Sequence, residues 1–169
     1  ATSYLISQGH NDIGFIYGTH TSTLTQDRER GYQRAMKAAK LPIVDGWIVE
    51  GGLTLNGARK ATRKLLNHHR RPTAIFCAND EMAMGCLHEI KSAKLRIPED
   101  ISVIGFDDIR YAEILDPPLT TIAQPSEEIG ERTMHRLIKA IEGRDIGAEA
   151  EIVPHKLVVR RSTGPAPQK

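Results

Sequence analysis

Apolar residues gather in four short runs, Ile13–Tyr17, Trp47–Val49, Ala74–Ala78 and Ile101–Phe106. Each is too brief for a helix and rich in strand formers, so each predicts a β-strand buried on both faces. The intervening stretches place their apolar residues at helical spacing instead: Tyr32, Ala35, Met36 and Ala39; Ala58, Ala61, Leu65 and Leu66; Met82, Cys86, Leu87 and Ile90. Pro42, Pro72 and Pro98 mark helix stops, and Thr25, Thr54 and Asp80 are candidate N-caps. Strand and helix alternate, which predicts an α/β fold: a parallel sheet with right-handed crossovers, its faces covered by the helical stripes. Ahead of the first strand, residues 1–10 read as the end of a helix closed by Gly9-His10, whose upstream part is expected to lie outside this sequence.

After Phe106 the pattern changes. Asp116–Thr121 contains two prolines and predicts a stiff, extended connector. A longer helix follows over Ser126–Glu142, with Glu127 and Glu128 at its positive end, Gly143 as terminator, and Gly130, Met134, Leu137, Ile138 and Ile141 expected inward. A last strand over Lys156–Arg160 precedes a loose tail, residues 164–169. No internal repeat is visible.

Composition narrows the choices. The chain has 169 residues, a length suited to one domain that folds without a disulfide or a metal. Its 23 basic and 21 acidic residues leave a net charge of +2, so no global field draws in nucleic acid or an anionic membrane. The two cysteines, Cys77 and Cys86, sit in apolar surroundings and are expected to be buried thiols, which suits a reducing cytoplasm. No apolar run approaches the roughly 18 residues of a membrane span, and the basic-then-apolar start of a signal peptide is missing.

In an open parallel sheet, ligands bind beyond the carboxyl ends of the strands. The residues there are Gly18–Thr25, Glu50–Gly52, Asn79-Asp80 and Asp107-Asp108. Asn79 carries a donor and an acceptor, Asp107 two acceptors, and Arg28 a planar fork of donors, a set suited to a polyhydroxylated or heterocyclic small molecule. The plainer alternative makes Asp80 and Asp108 helix caps and Asn79 a turn residue. Nucleophile elbow, zinc-helix, phosphate-loop and dinucleotide motifs are all missing, so no catalytic residue, cofactor or metal is assigned. His68-His69 and the basic stretch Arg59, Lys60, Arg63, Lys64, Arg70 and Arg71 read as a solvated helix face.

Several segments in one order, RERGY (Arg28–Tyr32), RPTAIFCANDEMAMG (Arg71–Gly85), IPEDISVIGFDD (Ile97–Asp108) and PPLTTI (Pro117–Ile122), resemble the LacI/GalR family of bacterial transcriptional repressors. The segments QGH (Gln8–His10) and LVVRRST (Leu157–Thr163) are also similar. The resemblance implies part of a periplasmic-binding-protein-like type I fold, a doubly wound parallel sheet that is mostly one subdomain. That subdomain would comprise residues 11–119 and 151–163, with residues 120–150 forming the crossover and helix of the other. It implies that Arg28, Asn79 and Asp107 contact a small effector, a sugar, nucleoside or purine. Leu53 falls where many members stack an aromatic on the effector, and Met84 and Leu115 fall where the family faces a partner subunit in a homodimer. DNA would be read only by a headpiece upstream of Ala1. A sugar-binding component of a transport system shares this architecture and is the alternative, followed by a doubly wound enzyme.

Overall fold

The computed structural model describes residues 1–147 and 150–168. Its core is one six-stranded sheet in the order β2-β1-β3-β4-β5-β6, formed by β1 (Ile13–Tyr17), β2 (Ile48–Glu50), β3 (Ala74–Cys77), β4 (Ser102–Asp107), β5 (Thr120–Ala123) and β6 (Lys156–Val158). The pairings from β2 through β5 are parallel, and β6 runs antiparallel to β5. Five helices accompany the strands: α1 (Thr2–Ser7), α2 (Thr23–Ala38), α3 (Leu55–Leu66), α4 (Asp80–Ser92) and α5 (Ser126–Ile141).

Successive residues of each central strand face opposite sides, because side chains alternate along a strand. In β1, Phe15 stacks on Tyr32 of α2, with ring centroids 5.2 Å apart, while its neighbour Gly14 lies against Leu65 of α3. Helices therefore cover both faces, which makes the sheet doubly wound. All five residues of β1 and all four of β3 are buried, as their unbroken apolar runs predict. Tyr32 Oη donates to the Ile13 carbonyl at 2.7 Å, and Trp47 Nε1 donates to the Arg70 carbonyl at 2.9 Å, so the two large aromatics enter the core with their polar atoms satisfied.

The caps depart from expectation in two places. Thr54 does cap α3, accepting from the Gly57 N–H at 3.0 Å. For α2 the cap position is Ser22, and Thr25 is a buried residue inside the first turn. For α4 the cap is Asn79, whose Oδ1 accepts from the Met82 N–H at 2.8 Å. Asp80 is the first helical residue and is buried, because its carboxylate is engaged by Thr121 and by the backbone of Ile109. Asp108 is no cap either: it accepts from Arg160 at 2.8 Å.

The connector expected over Asp116–Thr121 runs straight into a strand. Thr120 pairs with Ile104, and β5 extends the parallel sheet. Two buried threonines hid this strand from the hydrophobic pattern. Their hydroxyls are satisfied inside the core, Thr120 Oγ1 by Thr163 at 2.8 Å and Thr121 Oγ1 by Asp80 at 2.6 Å.

The long helix forms where expected, but no residue of it is buried. Met134, Leu137, Ile138 and Ile141, expected inward, are 44% to 77% exposed, and Gly130 is exposed as well. The physical reason is position: α5 leaves the sheet after Gln124 and Pro125, beyond the layers that cover β1 to β4. Cys77 and Cys86 are buried free thiols, as expected. Among the described residues, no helix is long and apolar enough to cross a membrane.

Candidate functional site

Strand order reverses direction at β1. The chain moves outward from β1 to β2, then returns past β1 to β3, leaving a switch point between β1 and β3. Crossovers diverge there, so the carboxyl edge of the sheet is open between Gly18 and Asn79. Loops after β1, β2, β3 and β4 converge on this edge.

Arg28, in the second turn of α2, reaches across it. Its Nη1 donates to the Ala78 carbonyl, at the end of β3, and its Nη2 to Asp107 Oδ1, at the end of β4, at 3.3 Å. The guanidinium lies over the Phe106 ring, 4.0 Å from the centroid. One side chain thus ties three elements, using the planar fork and aromatic stacking that only arginine combines. Burial pulls the Arg28 pKa below its ordinary value, and the Asp107 charge opposes that shift.

Asp107 and Asp108 both have positive φ, at 115° and 56°. Two successive non-glycine residues in this region are costly, about 1 kcal/mol or more each, and persist only where their surroundings hold them. Asp107 Oδ1 accepts from Arg28 and also from Gln124 Nε2 at 2.6 Å. Its Oδ2 accepts from no described residue. Burial raises the Asp107 pKa, against the opposing effects of Arg28 and Gln124.

Asn79 gives its oxygen to the α4 cap, which leaves its amide N–H donors without a protein partner among the described residues. The rim around Arg28 therefore offers one free amide donor and one free carboxylate acceptor. Such a pair matches a hydroxyl or a ring nitrogen with an adjacent N–H.

Leu53 sits on the neighbouring loop after β2, at a positive φ of 58°, with 37% of its surface exposed. Its side chain closes against Gly18 so tightly that a Cβ there would fall 2.7 Å from Leu53 Cγ. Leu53 is thus at the carboxyl edge with the other three, on its β2 side, and presents an aliphatic surface. Met84 on α4 and Leu115 ahead of β5 are both half-buried and lie off the rim. Lys91 of α4 bonds Asp116 at 2.6 Å, which holds the Leu115 loop to the helix that carries Met84.

A groove of about 440 Å³ opens beside the rim on the α2 face. Arg28, Tyr32, Phe76, Phe106, Gln124 and His155 line it, whereas Asn79, Asp107 and Leu53 do not. The basic stretch on α3 is partly neutralised from within: Glu89 accepts from Arg63 at 2.7 and 3.0 Å and from Arg59 at 3.3 Å, and Arg70 pairs with Asp12.

Sequence reasoning overlooked Gln124 and the structural work of Asp80. The carboxyl-end rule would have found Gln124 had β5 been recognised, since Gln124 directly follows that strand. Asp80 carries no such signal, because a buried aspartate after an asparagine looks like a cap.

A doubly wound sheet with a polar rim at its switch point is the architecture in which α/β modules hold small molecules at the carboxyl edge of the strands. The chain belongs to the periplasmic binding protein-like domain family, whose model matches residues 2–163. It is 39% identical over 167 residues to the HTH-type transcriptional repressor CytR of Escherichia coli (strain K12), a match that covers 99% of this chain and 49% of that protein. Among solved structures, a regulatory protein of the LacI family from Chloroflexus aggregans is 36% identical with a TM-score of 0.88, covering 96% of this chain and 58% of that one. The transcriptional regulator CelR, solved as a cellobiose complex, is 31% identical with a TM-score of 0.91, covering 96% of this chain and 50% of that one. The chain spans about half the length of the curated relatives it matches.

Proposed function

We propose that this chain is the ligand-sensing and dimerisation part of a LacI/GalR-type transcriptional repressor working in the cytoplasm. It binds a sugar, nucleoside or purine at the carboxyl rim of its sheet. The observation that carries this reading is the rim itself, where Arg28 clamps Asp107 to the end of β3 and leaves Asp107 Oδ2 and the Asn79 amide free. Asn79 and Asp107 orient effector hydroxyls or ring nitrogens, Arg28 holds the acceptor in place, and Leu53 supplies an apolar contact. The open apolar face of α5 fits a helix whose packing partner is a second subdomain. Met84 and Leu115, joined through the Lys91–Asp116 pair, supply the face for a second copy.

In the whole protein, operator binding would be the task of a separate headpiece. An effector that favours one cleft geometry changes operator affinity by no more than its differential binding energy for the two states. The relatives in hand are transcriptional regulators, which favours this reading over a transport component of the same architecture.

Calorimetry on the full-length protein with adenosine and cellobiose as probes tests the reading. Asn79→Ala and Asp107→Ala are each expected to weaken binding of the active probe about tenfold or more, the value of one hydrogen bond to a charged or buried group. Unchanged affinity in both variants would overturn it.

A further inference from the structure

Asp80 touches no ligand in the reading above, yet its carboxylate is buried and engaged at both oxygens. Oδ1 accepts from Thr121 Oγ1 of β5 at 2.6 Å, and Oδ2 accepts from the Ile109 N–H at 2.9 Å. Ile109 directly follows the Asp107-Asp108 pair with its two positive φ angles. The carboxylate is seated so closely on β4 that a Cβ at Gly105 would collide with Oδ1. One buried charge therefore joins the first residue of α4, the middle of β4, the loop that begins at Asp107, and β5, the strand that leads on to α5.

The charged and titratable groups around it are Asp107 and Asp108 from the end of β4, Arg28 from α2 and Cys77 from β3; β5 contributes the neutral Thr121. Burial raises the Asp80 pKa, the nearby aspartates add to that, and the bonds from Thr121 and Ile109 oppose it. Left-handed backbone at a non-glycine residue persists only where surrounding structure enforces it, and the Ile109 anchor holds the backbone at the residue that directly follows this pair.

We propose that Asp80 is the positioning residue of the ligand rim: by anchoring Ile109 it holds Asp107 in the conformation that leaves Oδ2 open, and it couples that loop to β5. This rests on reading the rim as a small-molecule site. Arg28 and Gln124 grip the Asp107 side chain, whereas Asp80 grips the backbone two residues on, at Ile109, and the two grips together fix one geometry. Protonation of Asp80 removes its charge, so the Ile109 N–H then faces a neutral acceptor and the anchor weakens.

Nuclear magnetic resonance on the whole chain tests the anchor without any ligand. Asp80→Asn keeps the shape but removes the charge: its oxygen can face Ile109 while its amide donates to the Thr121 hydroxyl, so the Ile109 bond loses its charge assistance. Exchange of the Ile109 amide is expected to accelerate about fivefold relative to that of Ile16 in β1, the difference between a charge-assisted and a neutral bond. The Asp107 and Asp108 amide shifts are expected to move with it. In the wild type the Ile109 amide shift follows the titration of the Asp80 carboxyl carbon, and Asp80→Asn abolishes that titration. Thr121→Val removes only the β5 bond, so Ile109 stays protected while Asp80 titrates at higher pH. Calorimetry with adenosine and cellobiose adds the functional arm: for a probe the wild type binds, Asp80→Asn weakens affinity about tenfold and flattens its pH profile.

Unchanged Ile109 exchange in Asp80→Asn, or unchanged affinity for a probe that the wild type binds, overturns the proposal. If Asp80→Asn does not fold, the wild type decides it, and an Ile109 amide shift that does not follow the Asp80 carboxyl titration overturns it. If the wild type binds neither probe, the small-molecule reading fails for those two classes, and the Ile109 amide alone decides the anchor.

Discussion

Asp80 and Gly105 form a matched pair across the α4–β4 interface, the carboxylate occupying the space that any side chain at position 105 would need. Leu119 Cδ2 also lies close, 3.0 Å from where a Cβ would sit. Glycine is required here for proximity, since its φ is not in the left-handed region.

Gly105→Ala is therefore expected to displace a buried, doubly bonded carboxylate. Overpacking and the loss of one or both hydrogen bonds predict a destabilisation of about 3 kcal/mol, read from urea unfolding midpoints at constant m-value. A change below about 1 kcal/mol would show that β4 and α4 separate easily.

Asn79 has two separable tasks, and two substitutions tell them apart. Serine caps a helix nearly as well as asparagine, so Asn79→Ser should keep stability within about 0.5 kcal/mol while losing the amide donor and about tenfold in ligand affinity. Asn79→Ala should lose both the donor and about 1 kcal/mol of stability. Equal stability for the two variants in thermal unfolding would remove the cap assignment.

Gln124 opposes the burial-induced rise of the Asp107 pKa by donating to Oδ1. Gln124→Ala is expected to raise that pKa further, as followed by the carboxyl carbon shift of Asp107 against pH. Ligand binding that needs the ionised carboxylate should then fail at a higher pH than in the wild type. An Asp107 titration that does not move would show that Arg28 alone sets the charge state.

Glu89 behaves in the opposite sense. Hydrogen bonds from Arg63 and then Arg59 hold its pKa below the ordinary carboxylate value. A depressed folded-state pKa contributes stability above the unfolded-state value and loses it as pH falls through the folded one. Glu89 is buried while Arg63 is half-exposed, so solvent screens part of the attraction and the contribution is modest. Glu89→Gln should therefore destabilise at pH 7, with the effect shrinking as pH falls through the folded-state pKa, in a denaturant series over acid pH. An effect that does not change with pH would mean that packing, and not charge, links α3 to α4.

The elements of the sheet were legible where burial was simple. Unbroken apolar runs announced β1 and β3 because both faces of those strands are covered, and helical stripes announced α2, α3 and α4 for the same reason. β5 was not legible, since its buried threonines are polar in sequence and satisfied by distant residues, among them Asp80 and Thr163, which lie 41 and 43 residues away. At the site, position after a strand sufficed to nominate Asn79 and Asp107. It could not reveal that Asn79 is the α4 cap, or that Arg28 already bridges the two loops.

The order of apolar runs and helical stripes by itself determined the class of fold and the edge of the sheet where polar residues collect, because periodicity records which faces are covered. Tertiary structure alone decided which atoms at that edge remain free. Hydrogen bonds between residues distant in the chain, such as Gln124 to Asp107 and Thr121 to Asp80, assign each lone pair and each N–H a partner or none. That assignment depends on distances in space, which no local pattern of residues encodes.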